Sequence, residues 1–374
     1  MTSRFARLAL AVVLLLSGLA VAVIAADAGA SSPQESTIAM QGASYTPKAP
    51  AGGTDDYHCT LVDPHVTKNV FIVKAHFFPD SIEVHHAILF LIPPNLAAQA
   101  VADDKGGKGW TCFGESALPG TASINQISNT PWLTAWAPGH GADVEPDGTG
   151  VWLPAGSLVV EQIHYNLLQG DKPVRAKLQL TTVPSSTHLQ RLELDLRPAP
   201  PDVPCPAGVT GPLCNRQASL NDLAARFGPW AVTFDNIIEQ ACGRDPSNPP
   251  AGDTTSCTWP IAGGETIVRL GAHMHLTGRS MRITLDPGTP KQQTLLNVTD
   301  YNFDYQKSYT LAHPVMTHTG DTLEVSCTYD PTLRQELPQL RKLPPRYVTW
   351  GDGSSDEMCL GSIQTISATG KAAY

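Results

Sequence analysis

The strongest constraint on how this chain folds is a recurring unit: a short apolar run mixing β-branched and aromatic residues, closed by turn residues. KNVFIVKAHFF, SIEVHHAILFLI, SLVVEQIHYNLL and VRAKLQLTTV carry it early on, and ETIVRLGAHMHL, SMRITL, DTLEVSCTY and LGSIQTISAT later. Runs of this kind suit half-buried strands, whose successive side chains point to opposite faces. WAVTFDNII reads the same way. Turn residues are dense, with 31 Gly and 32 Pro, and charged residues make up only 16% of the chain, which disfavours long surface helices. Helical patterning is confined mainly to NLAAQAVADD and SLNDLAARFG. The expected class is all-β: two tandem antiparallel β-sandwich domains, jelly-roll-like in type.

A chain of 374 residues has room for two domains, each with its own core. RPAPPDVPCPAG cannot sit inside a sheet, so residues 197–208 are the expected linker between domains at 57–196 and 209–374. Residues 31–56, rich in Ser, Gly, Pro and Ala, read as a flexible leader. Ahead of them, Arg4 and Arg7 precede an apolar run from Leu8 to Ala26, followed by the small residues Ala28-Gly29-Ala30. Residues 1–30 are therefore expected to be a secretory signal peptide, with a retained membrane anchor as the alternative. The net charge of -9 and the lack of a basic cluster argue against nucleic acid as a partner. All eight cysteines follow the leader signal and suit disulfides in an oxidising compartment: secreted, cell-surface or periplasmic. Proximity pairs Cys205 with Cys214, Cys242 with Cys257, Cys327 with Cys359, and Cys59 with Cys112. With no C-x-x-C pair, a thioredoxin-like or zinc-ribbon reading has no support.

Several histidines have ligand-like spacing. In GAHMHLTG, period two puts His273 and His275 on one strand face, roughly 6–7 Å apart, with Met274 turned the other way. EQIHYN contributes His164, with Gln162 on the same face. VHHAILF poses a difficulty, because neighbours in a regular strand point apart; His85 and His86 can share an ion only at a bulge, a twist or a strand end. In SSDEMC, Met358 is a soft thioether donor that favours Cu(I), and Asp356 shares its face if the segment is extended. Each feature alone also reads as ordinary structure: hydrogen-bonded histidines, or a gap-filling methionine beside a disulfide.

Together, and in this order, DYHCTLV, VHHAILF, QIHYN, AHMHLTGR, SCTYD and SSDEMC resemble the copper type II ascorbate-dependent monooxygenases, the family of peptidylglycine α-hydroxylating monooxygenase and dopamine β-monooxygenase. The resemblance implies two β-sandwich domains facing across a solvent-filled cleft, and two copper ions per chain. One copper would be held by His85, His86 and His164 and supply electrons. The other, held by His273, His275 and Met358, would carry out hydroxylation. It further implies ascorbate as electron donor, with O2 and a small molecule as substrates. Gln162 is expected near the first copper or on the cleft wall. The HxHLTGR wording is closer to the dopamine-hydroxylating branch.

Two departures stand out. The peptide-acting branch reads its substrate's carboxylate with an arginine two residues before the HxH pair, and here that position is Gly271. The family's cysteine ahead of HxH is matched by Cys257, but no cysteine follows Cys359, so the resemblance leaves Cys242 as its partner. Arg279 continues the face of His273 and His275 but is expected at the surface. His58, His65, His76, His140, His188, His313 and His318 have no comparable support. The competing reading is a secreted copper-binding or electron-transfer protein without turnover. A zinc hydrolase would need a poised carboxylate base, for which Asp356 is the nearby candidate.

Overall fold

Alternation decides which side chains enter the core, and the strands assemble around it as the apolar runs predict. The computed structural model describes residues 34–104, 106–113, 131–168 and 170–367. The expected signal peptide lies outside the described residues. Among the described residues, no helix is long and apolar enough to cross a membrane.

Almost all strand pairing is antiparallel. A five-stranded sheet runs in the order Trp110–Thr111, Asp55–Val62, Leu158–Asn166, Val84–Ile92, Trp132–Trp136. It faces the first part of a nine-stranded sheet, and Leu89, Leu91 and Ile163 on one side meet Ile72, Leu178 and Leu180 on the other. In the second half a four-stranded sheet, Thr254–Pro260, Thr322–Tyr329, Gly278–Leu285 and Gln293–Val298, supplies Met281, Ile283, Leu323 and Val325. These pack on Ile267, Leu270 and Ile363 from the far end of the nine-stranded sheet. Burying each such side chain contributes roughly 1.5–3 kcal/mol.

The nine-stranded sheet is shared by both halves. Gln190–Pro198, which runs into the start of the Pro-rich stretch, pairs antiparallel with Cys359–Ser367, in a register running from Leu192↔Ile366 to Pro198↔Leu360. The Pro-rich stretch was expected to lie outside any sheet, but Arg197 and Pro198 end this strand and Asp202–Val203 pairs with Val348–Thr349, because the non-proline residues keep N–H groups that can pair.

Two further expectations need correction. Within the expected leader, Ser36–Gln41 is a strand paired with Lys177–Pro184; it alternates exposed residues with Ile38 and the buried Met40. WAVTFDNII is helical, part of the helix Pro229–Ala241. Its β-branched residues suggested a strand, but Ala231, Phe234 and Ile238 recur at helical spacing and form the buried face, and Pro229 sits at a helix start, where no N–H is needed. The two segments expected to be helical are so, as Ala97–Asp103 and Arg216–Phe227. All four proximity disulfides are present: Cys59–Cys112, Cys205–Cys214, Cys242–Cys257 and Cys327–Cys359.

Candidate metal centre

The adjacent histidines sit on the strand Val84–Ile92, paired with Leu158–Asn166. Val84 pairs with Tyr165 and His86 with His164, so His85 is an extra residue in the ladder. That bulge resolves the geometric difficulty, because the unpaired residue is freed from strict alternation. Ring centroids lie 5.5 Å apart for His85–His86, 5.1 Å for His85–His164 and 4.7 Å for His86–His164. His164 is fully buried, and its Nε2 lies 2.9 Å from Asp55 Oδ1. A carboxylate can only accept, so this nitrogen donates, and in the neutral ring Nδ1 is the bare one. Nδ1 of His164, Nδ1 of His86 and Nε2 of His85 are buried without a hydrogen-bond partner. Burial, with His164 close by, holds both His85 and His86 well below the ordinary histidine pKa.

The second group forms where the strand Glu265–Met274 ends. His273 and His275 have ring centroids 5.2 Å apart, and Met274 between them is in the core. His273 Nδ1 lies 2.6 Å from Gln306 Oε1, while both ring nitrogens of His275 are buried and unpartnered. Burial lowers the pKa of His273 to about 4 and that of His275 to about 3. The neighbouring strand pairs Leu360 with His273 and Cys359 with Met274, so one further step along the register leads from His275 to Met358. Met358 packs among Phe234, Ile238, Trp350 and Leu360. Glu357 pins this turn by accepting from the His275 N–H (2.9 Å), the Thr277 N–H (2.6 Å) and the Thr277 hydroxyl (2.7 Å).

Asp356 belongs to a turn ahead of the strand, so the extended segment that would put it on the Met358 face is not formed. It takes a two-pronged salt bridge from Arg226, both contacts at 2.7 Å, and a third contact from Arg346 at 3.1 Å. Burial alone would raise its pKa; these arginines outweigh that and hold it at about 2. It is committed to structure and is not poised as a base.

The two groups touch. His86 and His273 are 5.9 Å apart edge-on, and Phe303 stacks on His85 at 4.0 Å while lying 6.0 Å from His275. The expected solvent-filled cleft between the groups is therefore closed at this point. A cavity of about 200 Å³ opens beside them, with His86, His273, Met358 and Gln162 on its walls. The rest is largely apolar, with Trp132, Trp136, Trp230, Phe234 and Trp350 among its aromatic rings and Asp352, His140 and Lys307 among the polar groups. Gln162 is buried, its amide donating to the Cys112 carbonyl at 3.2 Å. Gly271 lies on the wall, and a Cβ there would collide with the Ser362 hydroxyl. Arg279 is half-exposed, 3.4 Å from Asp330.

Among the described residues, no group of three or more His, Cys, Asp or Glu side chains stands arranged to hold a metal ion. The donor chemistry nevertheless fits copper: unpartnered buried imidazole nitrogens are costly alone, and imidazole and thioether are donors copper accepts. Sequence reasoning missed Asp55, Ser354, Glu357 and Phe303, which hold or cover the histidines. Two adjacent acids, Asp55 and Asp56, opening a strand were the available signal, since buried carboxylates need partners.

No curated protein matches the chain. Among solved structures, an allantoicase shares 10% identity over 74% of this chain and 71% of its own, with a TM-score of 0.18. A putative secreted protein from Parabacteroides distasonis shares 8% identity over 88% of each chain, with a TM-score of 0.19. Likeness this low carries no argument. Residues 253–365 match the profile of the copper type II ascorbate-dependent monooxygenase C-terminal domain, and the match supports that family for this chain.

Proposed function

We propose that the protein is a secreted copper monooxygenase that hydroxylates a C–H bond of a small amine, amide or peptide-like molecule, using O2 and ascorbate. The observation that carries this reading is the pair of buried histidine groups with unpartnered nitrogens, one of them sharing a cavity wall with Met358. His85, His86 and His164 would hold one copper, and His273, His275 and Met358 the other. Copper bound there would supply one-electron redox chemistry and dioxygen activation.

The chain's own residues do the rest. Neutral imidazoles keep their lone pairs available, and the Met358 thioether favours Cu(I) at its site. The aromatic walls exclude water and orient an apolar substrate body beside Met358 and His273. Gly271, backed by Ser362, leaves no side chain in the position where the peptide-acting branch carries its arginine, which favours the other branch. Gln162 stands on the same wall as His86 and would support that side of the cavity. Four disulfides fit an extracellular setting.

The test is anaerobic reduction of copper-loaded protein with ascorbate, then O2 and a panel of amines and amides. Two coppers per chain, sulfur scattering at reduced copper, and oxygen uptake matched to a hydroxylated product are expected. Copper cycling without product would replace this reading with the electron-transfer protein. Absence of specific copper binding would end both.

A further inference from the structure

One carboxylate touches a histidine of the first group and the turn that leads to Met358 of the second. Asp55 opens the strand Asp55–Val62, and its side chain is 1% exposed. Its Oδ1 lies 2.9 Å from His164 Nε2 and accepts a hydrogen bond from Ser354 Oγ at 2.7 Å; Oδ2 accepts from Thr54 Oγ1 at 2.8 Å. Ser354 is itself buried, and it belongs to the turn that leads through Asp356 and Glu357 to Met358. Two residues along the same strand face, the Tyr57 hydroxyl donates to the Asp352 carbonyl at 2.8 Å, and the Tyr57 ring stacks on His164 at 4.1 Å. The strand thus grips the methionine-bearing turn at two points while holding a histidine of the other group.

We propose that Asp55 is a positioning residue shared by both groups. Through His164 it fixes which ring nitrogen is bare, and through Ser354 it holds the turn that carries Met358. The proposal rests on the copper reading above. Its physical basis is that a carboxylate accepting a histidine N–H sets tautomer, ring orientation and donor strength, so losing such a partner weakens metal binding about 10–100-fold. Here the same oxygen also fixes a segment from the far end of the chain, so a disturbance at Asp55 reaches the two groups together.

The test has two parts. In copper-free protein, nitrogen NMR of the imidazoles should find His164 protonated on Nε2; a proton on Nδ1 would overturn the proposal. In copper-loaded protein, Ser354→Ala removes only the grip on the turn. It should leave the His164 tautomer and the Cu(II) resonance of the three-histidine group intact, while weakening Cu(I) affinity at the methionine group by about tenfold and reducing the sulfur scattering there. Asp55→Ala should disturb both groups and release the tautomer; if it does not fold, Ser354→Ala and the native tautomer decide the matter. Unchanged sulfur scattering in Ser354→Ala, with two coppers bound by the native protein, would overturn the proposal alone. Failure of the native protein to bind copper would instead remove the reading on which it rests.

Discussion

His86 and His273 meet edge-on with ring centroids 5.9 Å apart, although they come from opposite halves of the chain. Both rings are partly buried on the cavity wall, where a charge is poorly solvated. A proton on one imidazole would set a buried cation against the other, a contact that low dielectric makes expensive. Burial first, and then the neighbouring histidines, hold His86 well below the ordinary value; burial does the same at His273 and His275. His86, His273 and His275 are thereby held in the neutral form.

A pH prediction follows from those directions. In copper-free protein, the imidazole nitrogens of His273 and His275 should show no protonation between pH 8 and pH 5, because their pKa values are lowered to about 4 and about 3. Copper binding at this pair should therefore release no protons over that range. An ordinary exposed histidine pair would begin competing with protons near pH 6.5. Nitrogen chemical shifts followed through the titration provide the check, and a midpoint near 6 for either ring would refute the burial argument.

Met358→Leu separates ligation from packing. Leucine conserves volume among Phe234, Ile238 and Trp350, so the unfolding free energy should change by less than about 1.5 kcal/mol. Sulfur scattering at reduced copper should vanish. Hydroxylation should fall by at least the about 10–100-fold typical of losing a residue that merely supports a ligand. Full turnover in this variant would remove Met358 from the chemistry.

How much of this was legible in the sequence depended on range. Period two correctly set Met274 in the core between His273 and His275, because alternation is a local property. The His85 bulge could only be stated as a condition, since a bulge is defined against the partner strand, here the one bearing His164. The Pro229–Ala241 helix was misread because its β-branched residues outweighed the spacing of Ala231, Phe234 and Ile238. The contact between Asp55 and Ser354 was out of reach, because 299 positions separate them and no local pattern reports a pairing over that distance. The contact between the two histidine groups was hidden for the same reason, as it depends on how two sandwiches share one sheet.

The Cys327–Cys359 disulfide should matter more to the site than its partners do. Cys359 directly follows Met358 and begins the strand that pairs with His273, while Cys327 lies on the facing sheet. Replacing both cysteines by alanine should cost about 2–5 kcal/mol in denaturant unfolding. The same replacement should reduce Cu(I) affinity at the methionine group while leaving the three-histidine Cu(II) spectrum unaltered. Removing Cys205–Cys214, which closes a loop spanning only 9 positions, should not alter either spectrum.

Asp352 offers a test of substrate charge. It stands on the wall of a largely apolar cavity that also carries Lys307, and among the described residues its carboxylate forms no salt bridge. Burial, with Asp356 and Asp55 nearby, raises its pKa to about 7, although Arg226 acts the other way. The ionised form, which attracts an ammonium group, therefore dominates only above that pH. For an amine substrate, kcat/KM should rise as pH passes upward through about 7, until the amine itself loses its proton. Asp352→Asn should abolish that rise and lower kcat/KM about 10–100-fold, the worth of one hydrogen bond to a charged group. Neutral amide substrates should respond to neither change. An amine whose turnover is indifferent to both pH and Asp352→Asn would show that the cavity recognises its substrate through the aromatic walls alone.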